Sequence, residues 1–134
     1  MATTAQQANV ERIRRTYDAF AKGDIEAVQG QMSDGVVFHI LGHTPLSGDY
    51  TGRNEVLDFF GKLMERSQGT LKIEVHDILA NDEHGVALVT ETAERNGKKW
   101  NSRAVHVTHL DADGKTREFW AFQEDQAKAD EFWA

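Results

Sequence analysis

Four strand-like segments follow one another in the second half of the chain, over residues 71–80, 86–94, 99–110 and 115–122. They are separated only by Asn81-Asp82-Glu83-His84-Gly85, Arg95-Asn96-Gly97-Lys98 and Asp111-Ala112-Asp113-Gly114. Connections this short cannot carry a crossover, so neighbouring strands must pair antiparallel. Asn96-Gly97 is the strongest of the turn signals, because a tight hairpin turn needs positive φ at both central residues. The second half is therefore an antiparallel meander, and the first half must supply whatever covers it.

The first half supplies helices. Val10, Ile13, Tyr17 and Phe20 recur at helical spacing between Thr4 and Lys22. Gly23 stops that helix, and Asp24 caps a second with Ile25, Val28 and Met32 on one face. Ser33-Asp34-Gly35 reads as a turn and residues 36–41 as a strand, followed by a loop over 42–52. A third helix over 53–67 presents Val56, Leu57, Phe60, Leu63 and Met64. The tail from Glu124 reads as a short helix docking Phe132 and Trp133. Helices early and a meander late define the α+β class. Helices packed in the concave face of a curved, mostly antiparallel sheet would bury these stripes and leave a pocket at the mouth.

Composition bounds the function. The 134 residues make one domain, taken as 1–134, with no internal repeat or linker. A net charge of −7 leaves no basic face for nucleic acid. There is no cysteine, which removes disulfides, thiolate nucleophiles and cysteine-based zinc sites. The N-terminal segment has no basic region followed by an apolar run, and no apolar stretch could span a bilayer. The expectation is a cytoplasmic protein without membrane contact.

Six histidines invite a metal, but their spacing argues against one. His39 and His43 would lie roughly 13 Å apart if extended. His106 and His109 are three apart on a strand and so point to opposite faces. There is no H-E-x-x-H, no phosphate loop and no nucleophile elbow. His39 lies in an apolar strand, either as a packed histidine or as an acid–base group at a pocket mouth. In the second case desolvation would lower its pKa and hold it neutral. His106 shares a strand face with Ala104, Thr108 and Leu110, which suits either a cavity wall or a packed core. Tyr17 reads as core packing or as a phenol donating to a developing oxyanion.

Three segments carry a resemblance: Tyr17-Asp18-Ala19-Phe20-Ala21-Lys22-Gly23-Asp24, Leu46-Ser47-Gly48-Asp49-Tyr50-Thr51-Gly52-Arg53 and Glu118-Phe119-Trp120-Ala121-Phe122. Through them the chain resembles SnoaL-like proteins of the nuclear transport factor 2-like superfamily, which also contains ketosteroid isomerases. The resemblance implies a cone-shaped α+β barrel (a cystatin-like roll), a deep apolar pocket, no cofactor and a homodimer through the sheet. It places Tyr17 where the isomerases have their oxyanion-hole tyrosine. It places His39 at their base and His106 at their second oxyanion-hole group, where those enzymes carry aspartates. The epoxide hydrolases of the fold use Arg-x-Asp on a strand, whereas here Arg103 is followed by Val105.

The resulting expectation is an acid–base enzyme of isomerase, cyclase or dehydratase type acting on a small apolar carbonyl compound. His39 would be its base, and Tyr17 and His106 its donors. Phe20, Phe59, Phe60, Leu63, Ala104 and Phe119 would line the substrate pocket. The competing reading is a non-catalytic small-ligand-binding or dimerisation module. The outer sheet face, with Val105, Val107, Trp120 and Phe122, would carry the dimer contact.

Overall fold

The computed structural model describes residues 4–134; the first three residues of the expected 1–134 domain lie outside the described residues. Helix α1 (Thr4–Lys22) ends where Gly23 turns left-handed at φ 73°. Helix α2 (Ile25–Gly30) starts on Asp24, whose carboxylate accepts from the Ala27 amide. Strand β1 (Met32–Ile40), strand β2 (Gly48–Thr51) and helix α3 (Arg53–Arg66) follow. The meander is β3 (Lys72–Ala80), β4 (His84–Arg95), β5 (Lys98–Leu110) and β6 (Thr116–Gln123), and helix α4 (Gln126–Trp133) closes the chain.

The six strands form one curved, unclosed sheet in the order β2-β1-β6-β5-β4-β3. Every pairing is antiparallel except β1 with β6. The roll is thus open, with β2 and β3 as its edges, and β3 carries a register shift between Val75 and Asp77. At the β4–β5 hairpin Asn96 and Gly97 both have positive φ, as their sequence requires.

Three local readings are corrected. Met32 begins β1 instead of completing the α2 stripe, and the expected turn at 33–35 is an irregularity inside that strand. The Met32 carbonyl there accepts from Arg53 Nε and Nη2, at 3.1 and 2.7 Å, which tethers the start of α3. Residues 48–51, expected in a loop, pair with β1 as an edge strand. Backbone pairing recruits them despite the glycine at position 48, a signal that side-chain alternation does not carry.

The helices cover the inner sheet face: α1 lies on β3 and β4, α3 on β1 and β2, and α4 on β5 and β6. One core cluster gathers Val36, Phe38, Val56 and Phe59 with Trp100, Phe132 and Trp133. A second gathers Ile13, Ile78, Ala87, Val89 and Ala104. Helix α4 is held at its C-terminal carbonyls, where Arg66 Nε donates to Trp133 O (2.7 Å) and Arg95 Nη1 to Phe132 O (3.0 Å). The β1–β2 loop lies against this helix at Gly42, where a Cβ would overlap the Asp130 carboxylate. No helix among the described residues is long and apolar enough to cross a membrane.

Candidate functional site

Between the helices and the sheet lies a cavity of about 180 Å³. Phe20 from α1, Phe59, Phe60 and Leu63 from α3, and Phe119 from β6 line it. Ala104 does not line it; this residue packs into the second core cluster with Ile13 and Ile78. The β5–β6 register sets Thr108 opposite Phe119 and His106 opposite Ala121, so the inward side chains of both strands share one wall.

Tyr17 and His106 meet on that wall. The Tyr17 hydroxyl lies 2.6 Å from His106 Nδ1, with the two rings stacked at 15°. His106 Nε2 lies 2.7 Å from Glu91 Oε2. The other Glu91 oxygen accepts from Gln123 Nε2 at 3.0 Å, and Gln123 Oε1 accepts from Ser102 Oγ at 3.0 Å. His106 and Glu91 are only 3% and 6% exposed, so the chain of contacts is dry apart from its cavity face.

Its polarity follows from donor chemistry. A carboxylate can only accept, so His106 Nε2 carries the proton and Nδ1 offers its lone pair. Tyr17 must then donate to Nδ1, and its oxygen faces the cavity as an acceptor. Burial, and after it the charge of Glu91, push the Tyr17 phenol above its ordinary range, which keeps it protonated in the resting state. In this tautomer the Tyr17 proton is engaged by His106, and the phenol meets the cavity as an acceptor in place of the expected donor.

His39 does not join them. On β1 its neighbours Phe38 and Ile40 point into the cavity, so strand alternation sends His39 to the outer sheet face. There Nε2 lies 2.9 Å from Glu118 and Nδ1 2.8 Å from Asp49, over the ring of Trp120 at 4.9 Å. The expected fall in its pKa is reversed: the bond to Glu118 raises it, seconded by Asp49 and opposed by partial burial. Glu118 moves down, through its bond to His39 and then that to His109. The stability conferred by His39 is present below its unfolded value of 6.5 and is lost as pH rises through the raised folded value. That of Glu118 is present above 4.5 and is lost as pH falls through its lowered value. The melting-temperature gap between wild type and His39→Gln is accordingly widest between pH 4.5 and 6.5 and narrows at alkaline pH. A gap that grows with alkaline pH would contradict this ion-paired geometry.

Glu91, Gln123 and Ser102 were not singled out from the sequence. Their signal was present, because alternation along Ala87-Val89-Glu91-Ala93 puts a charge on an otherwise apolar inward face. A carboxylate in that position needs a donor, and the inward histidine of the next strand is the nearest kind available. Among the described residues no group of three or more histidines and carboxylates is arranged to hold a metal ion.

The SnoaL-like domain family matches residues 13–119. An uncharacterised protein of Mycobacterium tuberculosis is 30% identical over 128 residues, covering 95% of this chain and 97% of its own. The structure of Bal32a, from a soil-derived mobile gene cassette, superposes with a TM-score of 0.93 at 26% identity, covering 98% and 100% of the two chains. TerC, co-crystallised with polyporic acid, has the same fold with a TM-score of 0.82 at 20% identity, covering 92% and 96%.

Proposed function

The chain belongs to the SnoaL-like family, and from that membership we propose that it is an acid–base enzyme of isomerase, cyclase or dehydratase type. Its substrate is a small, largely apolar carbonyl compound held in the aromatic cavity. The observation that carries this reading is the Tyr17–His106–Glu91 chain, whose open end is the phenol oxygen. The proton next to the substrate carbonyl goes to Tyr17 Oη as the phenol passes its own proton to His106 Nδ1. His106 becomes an imidazolium beside the Glu91 carboxylate, and the electron pair of the broken C–H bond is left on the enolate. Thr108 and Thr116, which also line the cavity, offer hydroxyl donors for the enolate oxygen. Reversal of the relay returns the proton to a different atom, or lets the enolate close a ring or expel a leaving group.

Solvent deuterium exchange tests the reading without knowledge of the natural substrate. Incubated in deuterated buffer with a panel of small aromatic and alicyclic ketones, the protein is expected to wash out α-protons faster than buffer alone. Absence of catalysed exchange across the panel would leave the ligand-binding module as the better reading. The co-crystallisation of TerC with polyporic acid supports a small-molecule occupant of this fold.

The outer sheet face supports a homodimer as partner. Val105 stands opposite both Leu88 and Phe122, and Val107 opposite Trp120, making one continuous apolar patch. Leu88, Val105 and Phe122 are 39%, 36% and 44% exposed. Such a patch is seldom left to water, and a two-fold axis through it would let each copy cover the other. The expected mass in solution is twice 15.1 kDa, and Phe122→Glu is expected to halve it. A wild-type mass of 15.1 kDa at micromolar concentration would remove the dimer.

A further inference from the structure

The cavity is asymmetric in charge. Among the described residues its lining includes two carboxylates, Glu91 and Asp130, and neither a lysine nor an arginine. Both nitrogens of His106, the one cationic candidate in the wall, are already engaged by Tyr17 and Glu91. An anionic ligand entering this space would lose its water and gain no counter-charge, while approaching a buried carboxylate in a poorly screened medium.

The cavity is also asymmetric in hydrogen bonding. Glu91 fixes the proton on His106 Nε2, which draws the Tyr17 proton onto Nδ1 and leaves the phenol oxygen with lone pairs only. Gln123 holds the arrangement from the far side, because its amide nitrogen faces Glu91 and its oxygen faces Ser102. A ligand at Tyr17 is therefore met by an acceptor, although a tyrosine could in principle do either.

We propose that Glu91 sets the ligand class of the cavity: it takes an uncharged ring compound presenting a hydroxyl donor to Tyr17 Oη and turns away the corresponding carboxylate. Glu91 acts as a positioning and specificity-determining residue that reaches the ligand only through His106 and Tyr17. The inference rests on the proposed relay for its geometry but concerns binding rather than turnover.

Three probes of one shape separate the effects: 4-isopropylbenzyl alcohol, its methyl ether and 4-isopropylbenzoate. Affinities are read by calorimetry on the intact protein at pH 7. The alcohol is expected to bind about 3- to 10-fold tighter than the ether, the range one neutral hydrogen bond supplies. The carboxylate is expected to bind at least about 100-fold weaker than the alcohol, for want of a partner for its charge. Tyr17→Phe removes the preference for alcohol over ether. Glu91→Gln narrows the discrimination against the carboxylate by about 10-fold, because the repelling charge is gone while a polar side chain of similar size remains. Carboxylate and alcohol binding alike, the ether binding as well as the alcohol, or no probe binding at millimolar concentration would each overturn the proposal. Predicted affinities without any ketone exchange would leave the ligand filter standing and remove the enzymatic reading. Exchange with inverted affinities would do the reverse.

Discussion

Tyr17→Phe lowers turnover of a carbonyl substrate by about 10²–10⁴-fold, the range a positioned proton-transfer group contributes. The ring stays stacked on His106, so what is lost is the single atom that faces the substrate and hands a proton on. His106 Nδ1 is left without its donor, which costs the fold about 1–3 kcal/mol at most, and less if water enters from the cavity. Activity and stability thus separate: the rate collapses while the melting temperature moves by a few degrees. His39→Gln gives the opposite pattern, changing the pH dependence of melting and leaving turnover unchanged. Wild-type rates in Tyr17→Phe would show that the phenol is only part of the wall, and the relay would have to be abandoned.

Glu91→Leu produces a large loss of stability. The leucine fills similar space but leaves His106 Nε2 and Gln123 Nε2 facing hydrocarbon. Two buried donors left without an acceptor cost about 1–3 kcal/mol each, a melting-temperature drop of roughly 5–20 °C in a domain of this size. Glu91→Gln is far milder. Its side-chain oxygen keeps the bond to His106, and rotation of the Gln123 amide turns its oxygen toward the new amide. Ser102 Oγ can then accept from Gln123 while it donates to the Arg103 carbonyl, already 3.1 Å away. Thermal melts of the two variants side by side make the test. Equal destabilisation would mean that volume, and not hydrogen bonding, holds the site together.

Much of this architecture is written in local patterns. The α1 stripe, the meander, the Asn96-Gly97 turn and the docking of Phe132 and Trp133 each follow from periodicity or turn chemistry within a few residues. The β1–β6 pairing does not, because it joins segments some eighty positions apart in parallel, and no turn residue announces it. His39 shows the same limit at a single side chain. Both faces of β1 are apolar, one because it lines the cavity and the other because it lies beside Trp120, so alternation alone could not say which was inside. Tyr17 and His106 were legible as polar residues at inward positions. Their direction of donation was not, since it is decided by Glu91 on a third element.

The open roll has a further consequence at its margins. A sheet that does not close leaves two rows of amide groups unpaired, and an exposed row is a template on which stray chains can add strands. The β2 margin is only four residues long. The β3 margin is nine, long enough to matter, but its register shifts between Val75 and Asp77 and it carries Lys72, Glu74, His76 and Asp77 on its exposed side. Kink and charge together deny an incoming strand a straight, neutral edge. The irregularity that looks like a flaw in the meander thereby lets the protein keep its cavity open without inviting fibrils.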